Sequence, residues 1–395
     1  MKISLKHSKI NKYSLLIGLL YIMPIVDSIS GFFHDIYPIG QFYRIVFFVY
    51  VSFLLMNSSM KTATGLIGAF LGFLIIQTLV SLPGGYAVKS IQDTIKLFTP
   101  ILMVSLFQSL LSKGRIRRES FFNLLNCWSI VYPPLIIIPS VLGLNNYAYE
   151  GSVGWKGFFF AINEISFIIS SLVIYRFYKL SQSINIKELC LLGLNVVCLI
   201  GMGTKTGYAT IAVGIITFGI FFFREKKASK RLKIIGISFL VVIIAFLVRD
   251  RVVEMTNLIF ERWFYQRQIS YSTTDFLFSM RLRRISVAFS DFWDGFYLLF
   301  GWGFGGELAG KLNIEMDFID LVLRTGIIGF FYVSIFYIRK IKYALKNNLW
   351  GTVIVVWSFA LSFGAGHVLF YGQSGMMLAL NITFASIIQN RIYVK

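Results

Sequence analysis

Seven of the eight basic residues between positions 249 and 317 are arginines: Arg249, Arg251, Arg262, Arg267, Arg281, Arg283 and Arg284, with Lys311 the exception. A guanidinium is a planar fork of donors that engages two phosphate oxygens at once, which an ammonium cannot do. The bias reads either as recognition of a phosphate on a ligand or as attraction to lipid headgroups and to Asp250, Glu254, Glu261 and Asp275 in the same stretch. Arg281 and Arg284 are three apart and share a helical face; Arg249 and Arg251 are second candidates for the same anion. Lys205 stands in Gly203-Thr204-Lys205-Thr206-Gly207, between two threonines and two glycines. It is either a snorkelling anchor or a cation at a closed turn facing a polar cavity.

The carboxylates near these cations are few. Glu164 follows Asn163 inside an apolar run, where a charge is costly unless it faces a cavity. Glu315, Asp317 and Asp320 precede another apolar run. Glu315 is either a partner for the helix N-terminal dipole or a general base. His367, one of three histidines, lies close to Tyr371 and Gln373; a lone histidine is usually structural, but this one falls among the other candidates. The chain has no P-loop, no HExxH and no DxD pair, so no nucleotide, cofactor or metal site is expected. Cys127, Cys190 and Cys198 all lie in apolar runs, which suits small core residues better than a disulfide framework or zinc site.

The elements that must position these residues are apolar. The chain is 56% hydrophobic and 14% charged, whereas soluble domains carry about 25% charged residues. Its net charge of +20 would suggest nucleic acid in a soluble protein; here it reads as basic loops that orient helices, and no nucleic-acid partner is expected. A span needs ~20 apolar residues. Twelve stretches qualify: 13–31, 41–57, 63–82, 93–112, 120–142, 158–177, 188–203, 207–223, 234–248, 318–338, 350–366 and 375–390. The first reads as a retained helix rather than a signal peptide, because no small-residue cleavage site follows it. The expected fold is an all-α, polytopic integral membrane protein: nine helices in 1–248, a long external loop over 249–317, and three helices in 318–395.

Most of the lysines and arginines fall on the side of the N-terminus, while the opposite short loops (32–40, 83–92, 143–157 and 367–374) hold only Lys89 and Lys156. That asymmetry places both termini inside. The long loop escapes the positive-inside rule. Within it, Val252, Met255, Ile259 and Trp263 share one helical face, as do Phe278, Leu282, Ile285, Phe289 and Trp293. Both segments read as amphipathic helices at the membrane surface.

Three local patterns, together with this topology, carry a resemblance. One is the turn Gly203-Thr204-Lys205-Thr206-Gly207. The second is Phe278-Ser279-Met280-Arg281 followed by the glycine-rich Leu299-Phe300-Gly301-Trp302-Gly303-Phe304-Gly305. The third is Glu315-Met316-Asp317-Phe318-Ile319-Asp320 leading to Gly326 and Gly329. Across essentially its whole length the chain resembles the superfamily of O-antigen ligases and Wzy-type polysaccharide polymerases, membrane glycosyltransferases of the GT-C-like type. The turn looks like that family's small-polar-basic turn, more often with arginine. The second pattern resembles its Ser-x-Arg helix and glycine stretch. The third resembles the segment where ligases carry a His-Asn pair; Glu315 occupies the histidine position, which fits the polymerase branch better.

The resemblance implies a metal-independent transferase without cofactor. Its donor is an oligosaccharide on polyprenyl diphosphate, and its acceptor is a hydroxyl of another lipid-linked repeat unit. The site lies at the outer face of a bacterial cytoplasmic membrane, with both termini cytoplasmic. Lys205, Arg281 and Arg284 would hold the diphosphate, with Arg249 and Arg251 behind them. Glu164 and Asp317 would contact substrate, and Glu315 or His367 would be the base. Implied partners are the lipid-linked oligosaccharide, membrane lipids, and chain-length regulator and flippase proteins. Two alternatives remain: a ligase that moves the finished chain to another acceptor, and a flippase of lipid-linked sugars. The absence of inverted internal symmetry argues against the flippase.

Overall fold

The structure is a computed structural model that describes residues 12–33, 37–144, 154–224, 249–290, 292–293, 295–304, 314–345, 348–366 and 368–389. The described residues contain helices and no strand. In chain order they are α1 Lys12–Phe32, α2 Ile39–Ser58, α3 Met60–Ser81, α4 Ala87–Ser112, α5 Arg118–Val141, α6 Ile162–Gln182, α7 Ile186–Met202 and α8 Lys205–Arg224. There follow α9 Arg249–Gln268, α10 Thr273–Leu277, α11 Arg281–Ser290, α12 Gly295–Phe300, α13 Asp317–Ala344, α14 Leu349–Ala365 and α15 Gly372–Gln389. Seven of the described helices, α1 to α5, α8 and α13, are long and apolar enough to cross a membrane, and α14 and α15 are shorter apolar helices. This is the architecture of a polytopic membrane protein. The expected span 234–248 lies outside the described residues, and the expected span 158–177 starts four residues later, at Ile162.

Burial follows each helix's composition. α4, α6 and α15 are apolar around most of their circumference and run through the interior. α3 turns Leu71, Ile75 and Leu79 outward, a stripe suited to lipid. Small polar residues join the interior helices: Thr210 donates to Ser170 at 3.0 Å, and Asn381 donates to Ser171 and Ser358, each at 2.8 Å. Such short side chains let membrane helices approach closely. Cys198 is buried, as the apolar runs suggest, whereas Cys190 is exposed, because α7 turns that side away from the bundle.

Helix ends assemble into two opposed faces. At one face Trp155 N donates to Gly201 O (2.9 Å), Ser81 Oγ to Phe304 O (2.9 Å), and Val368 N to Asp317 (2.8 Å). This brings together the connections after α3, α5, α7 and α14 and the start of α13. At the other face Tyr50 OH donates to Lys12 O (2.6 Å), and Arg115 reaches Tyr13 (2.8 Å). Both described ends, Lys12 and Gln389, belong to this second face.

The described residues of the expected loop 249–317 form four helices, α9 to α12, of which the sequence predicts α9 and α11. The apolar side of α11 packs against protein. Leu282, Ile285, Ala288 and Phe289 pack with Phe278, Phe292, Trp302, Ile314, Met316 and Leu323 in a second core; Trp293 is left exposed. A kink makes this docking possible. Gly326 has φ +66° inside α13, and the carbonyls of Leu323 and Arg324 just before it accept from Trp302 N (2.8 Å) and Gly303 N (3.1 Å). A Cβ on Gly326 would sit 2.2 Å from Leu299 O, and one on Gly301 2.3 Å from Arg324 O. The two glycine motifs of the sequence are thus one backbone contact.

Near the second face, Arg176 of α6 is fully buried. It donates to Glu188 of α7 at 2.7 Å and to Asn126 O of α5 at 3.2 Å, and it also contacts the Ser129 hydroxyl. Removing one partner of a buried pair leaves an uncompensated charge, which costs about 3–5 kcal/mol. Arg176→Met should therefore lower the thermal-unfolding midpoint of the detergent-purified protein markedly, whereas Arg224→Gln, at the exposed end of α8, should leave it unchanged.

Candidate functional site

The α7–α8 turn is built by its own residues. Gly203 ends α7 in the left-handed conformation (φ +62°), where a side chain would be strained. The Thr204 hydroxyl caps α8 by accepting from Gly207 N at 3.1 Å and bonds Ser166 of α6 at 2.8 Å. Lys205 is then the first residue of α8. Its ammonium donates to the carbonyl of Phe276 in α10 and lies 3.8 Å from the centroid of that ring. The ammonium is thus held by Phe276 at the end of the bundle.

Arg281 approaches from the other side. It begins α11, directly after Ser279 and Met280, both left-handed (φ +51° and +62°). One of its nitrogens donates to Glu315 Oε2 at 2.9 Å and another to Gly364 O at 2.8 Å. Glu315 itself has φ +61°. Ser279, Met280 and Glu315 are the non-glycine residues with positive φ among those described; Ser279 and Glu315 line one site, and Met280 stands between Ser279 and Arg281, which also lines it. Strain of this kind, about 1–3 kcal/mol per residue, persists only where the surroundings hold it.

Two further carboxylates do the holding. Asp320 accepts from Ile314 N (3.0 Å) and Met316 N (3.1 Å), clasping Glu315 between them. Asp317 is buried and accepts from Ser362 Oγ (2.7 Å), Val368 N (2.8 Å) and Leu369 N (3.0 Å), which ties the α14–α15 connection to the same turn. A Cβ on Gly366 would stand 2.2 Å from Glu315 O.

Around Glu315 opens a cavity of about 270 Å³. Lys205, Arg262 and Arg281 bring three cations to it, and Glu315 is its one acidic residue among the described lining. Asn163, Thr204 and Thr206 add neutral hydrogen-bonding groups. The structure therefore unites Lys205, Arg281 and Glu315 and adds Arg262 of α9, one of the loop arginines. Arg284 is exposed, one turn beyond Arg281, and is not among the lining residues. Arg283 pairs with Asp275 at 2.7 Å and stacks on Tyr271. Asp317 has a structural role, clamping the turn. His367 and the side chains of Arg249 and Arg251 lie outside the described residues. Among the described residues no three or more His, Cys, Asp or Glu gather where a metal ion would sit.

Glu164 is buried and turns away from the cavity that its neighbour Asn163 lines. With Asp27 and Arg44 it lies within electrostatic range of the buried Tyr132 hydroxyl. This is part of a second charged layer, deeper in the bundle. Arg44 pairs with Asp27 at 3.2 Å; Asp93 pairs with Lys96 at 2.7 Å and Lys89 at 3.3 Å; Arg324 acts on Asp93 and lies 5.0 Å from the Phe370 ring. The signal for it was present: Asp27, Arg44, Asp93 and Lys96 all stand inside expected spans, where ionisable residues are functional by default.

The electrostatics can be checked with a simple anion. Glu315→Gln removes the negative charge beside three cations and should tighten pyrophosphate binding to the purified protein by about ten-fold, while Arg281→Ala should weaken it about as much. Isothermal titration of both variants reads this directly. No protein-family profile and no curated protein sequence matches the chain.

Proposed function

We propose that the chain is a polymerase of a surface polysaccharide, such as an O-antigen, capsule or exopolysaccharide. It transfers a polyprenyl-diphosphate-linked oligosaccharide onto another lipid-linked repeat unit at the outer face of a bacterial cytoplasmic membrane. The observation that carries this reading is the meeting of three cations with one carboxylate, presented on strained backbone, at the end of an apolar bundle. Polyprenyl diphosphate is already a good leaving group, so the principal need is stabilisation of charge developing on it. Lys205, Arg262 and Arg281 supply that stabilisation. Glu315 accepts the proton of the acceptor hydroxyl. The acceptor oxygen bonds the anomeric carbon as its bond to the diphosphate breaks, and the electron pair leaves with the diphosphate. A cavity of about 270 Å³ suits the reacting head of such a substrate, with the polyprenyl chain in the bilayer. The deeper layer places Arg44, Lys96 and Arg324 on the same side, each beside Asp27 or Asp93.

In this reading the chain crosses the membrane twelve times, the ninth span being 234–248. The face carrying Lys12 and Gln389 is cytoplasmic, in keeping with the excess of Lys and Arg there.

A deletion strain separates this from its rivals. Single repeat units displayed without long chains indicate a polymerase, long chains accumulating on the lipid carrier a ligase, and undisplayed units retained inside a flippase. Arg281→Ala should reduce chain extension by ~100-fold or more with normal insertion, and Arg284→Ala should retain most of it; normal chain lengths in Arg281→Ala would refute the diphosphate site. For topology, an impermeant thiol reagent applied to intact cells should label a cysteine placed at position 270 and not one at 228; the reverse pattern would invert the orientation.

A further inference from the structure

At the face opposite Glu315, two adjoining cavities of about 660 Å³ and 490 Å³ open between α3, α4 and α13. Thr62, Ser105, Gln108 and Lys340 line both, so they form one cleft. Its cations are Lys61, Lys113, Arg118, Arg339 and Lys340, and no acidic residue is among its described lining. None of the five takes part in an ion pair among the described residues. This is the reverse of the deeper layer at the other face, where Asp27 and Asp93 answer Arg44, Lys89 and Lys96.

The cleft is organised without being neutralised. Lys340 Nζ donates to Gln108 Oε1 at 2.9 Å, and Lys113 Nζ to the carbonyl of Ser58. Both partners are neutral, so each ammonium is positioned while its charge remains uncompensated. The Gln108 amide NH2 is left as a neutral donor.

A further observation points to a ligand. Ser105 lines both cavities and is buried, and its hydroxyl has no hydrogen-bond partner among the described residues. Elsewhere on α4, Thr94 and Thr99 satisfy their hydroxyls on the carbonyls one turn back, at 2.8 and 2.7 Å. Ser105 has the same option within its own helix and does not use it. A buried donor left unmade is costly, and five cations with a free hydroxyl match an anion rich in oxygen.

The depth identifies where that anion resides. Lys340 lies 23 residues along α13 from Asp317, a contour of about 35 Å at 1.5 Å per residue, bent at Gly326. Hydrocarbon is ~30 Å thick, so Lys340 stands at headgroup level in the leaflet away from Glu315.

We propose that this cleft is a binding site for a phosphate-bearing group, held by Lys340, Arg118 and the Ser105 hydroxyl, in the leaflet opposite the candidate catalytic cavity. The chemistry is that of an anionic phospholipid headgroup or of free phosphate, and it holds whether or not the polymerase reading does.

The test uses the full chain in phosphatidylcholine nanodiscs, with phosphatidylglycerol and, separately, inorganic phosphate as probes. Bound phosphatidylglycerol is counted by native mass spectrometry, and thermal stabilisation is followed for both probes. At least one probe should bind saturably and raise the unfolding midpoint. Response to phosphatidylglycerol alone assigns a lipid headgroup, and response to inorganic phosphate assigns a soluble anion. Lys340→Gln should weaken the effect by about ten-fold or more. Ser105→Ala should leave the probe-free midpoint unchanged or higher, because it removes an unmet donor, while weakening the probe's effect. Arg224→Gln, at the same face but outside the cleft, serves as control. Failure of both probes to bind overturns the proposal. So does equal loss in Arg224→Gln and Lys340→Gln, which would mean general surface attraction, and so does a probe effect that Ser105→Ala leaves intact.

Discussion

An ion in an apolar bundle must be met by another ion or by hydrogen bonds, because leaving it unmet costs several kcal/mol. Much of this molecule follows from that requirement. Arg176 of α6 reaches Glu188 of α7 and Asn126 of α5; Arg44 of α2 reaches Asp27 of α1; Asp317 of α13 reaches Ser362 and the backbone after α14. Each pairing crosses from one helix or connection to another. The polar residues scattered along an apolar chain thereby become the ties that set how its helices are arranged, on top of packing that lipid alone does not drive strongly.

The same requirement explains how the candidate site is presented. Asp317 and Asp320 are spent on backbone N–H groups, and those bonds hold Glu315 at φ +61°. Glu315 then meets Arg281, whose own position follows two left-handed residues. The kink at Gly326, matched by Gly301, brings the stretch before α13 against α13 itself and seats the second core beneath α11. Carboxylate and guanidinium are set by rigid turns rather than by long flexible stems, which is the preorganisation that electrostatic stabilisation of a transition state demands.

The two faces differ in a way that net charge conceals. At one, cations are interleaved with carboxylates and a tight turn encloses a small cavity. At the other, cations are accompanied by hydroxyls and amides and the cleft is larger. The first arrangement suits chemistry on a bound head group, and the second suits holding an anion without reacting with it.

Composition and the length of its apolar runs determined that this chain is a bundle of membrane helices, because burying ~20 apolar residues against hydrocarbon depends on little beyond their number and type. Local residue chemistry also marked the Gly203–Gly207 turn, Arg281 and Glu315. Tertiary structure alone decided that Arg262, and not Arg284, shares the cavity with them: α11's apolar side is pinned into the second core, so its next turn carries Arg284 past the cavity while α9 lays Arg262 against it. It also decided that Glu164 turns from the cavity that Asn163 lines, and that Asp27, Arg44, Asp93 and Lys96 from three helices form one layer. Periodicity tells which residues share a face of one helix; which neighbour that face meets depends on the packing of all of them.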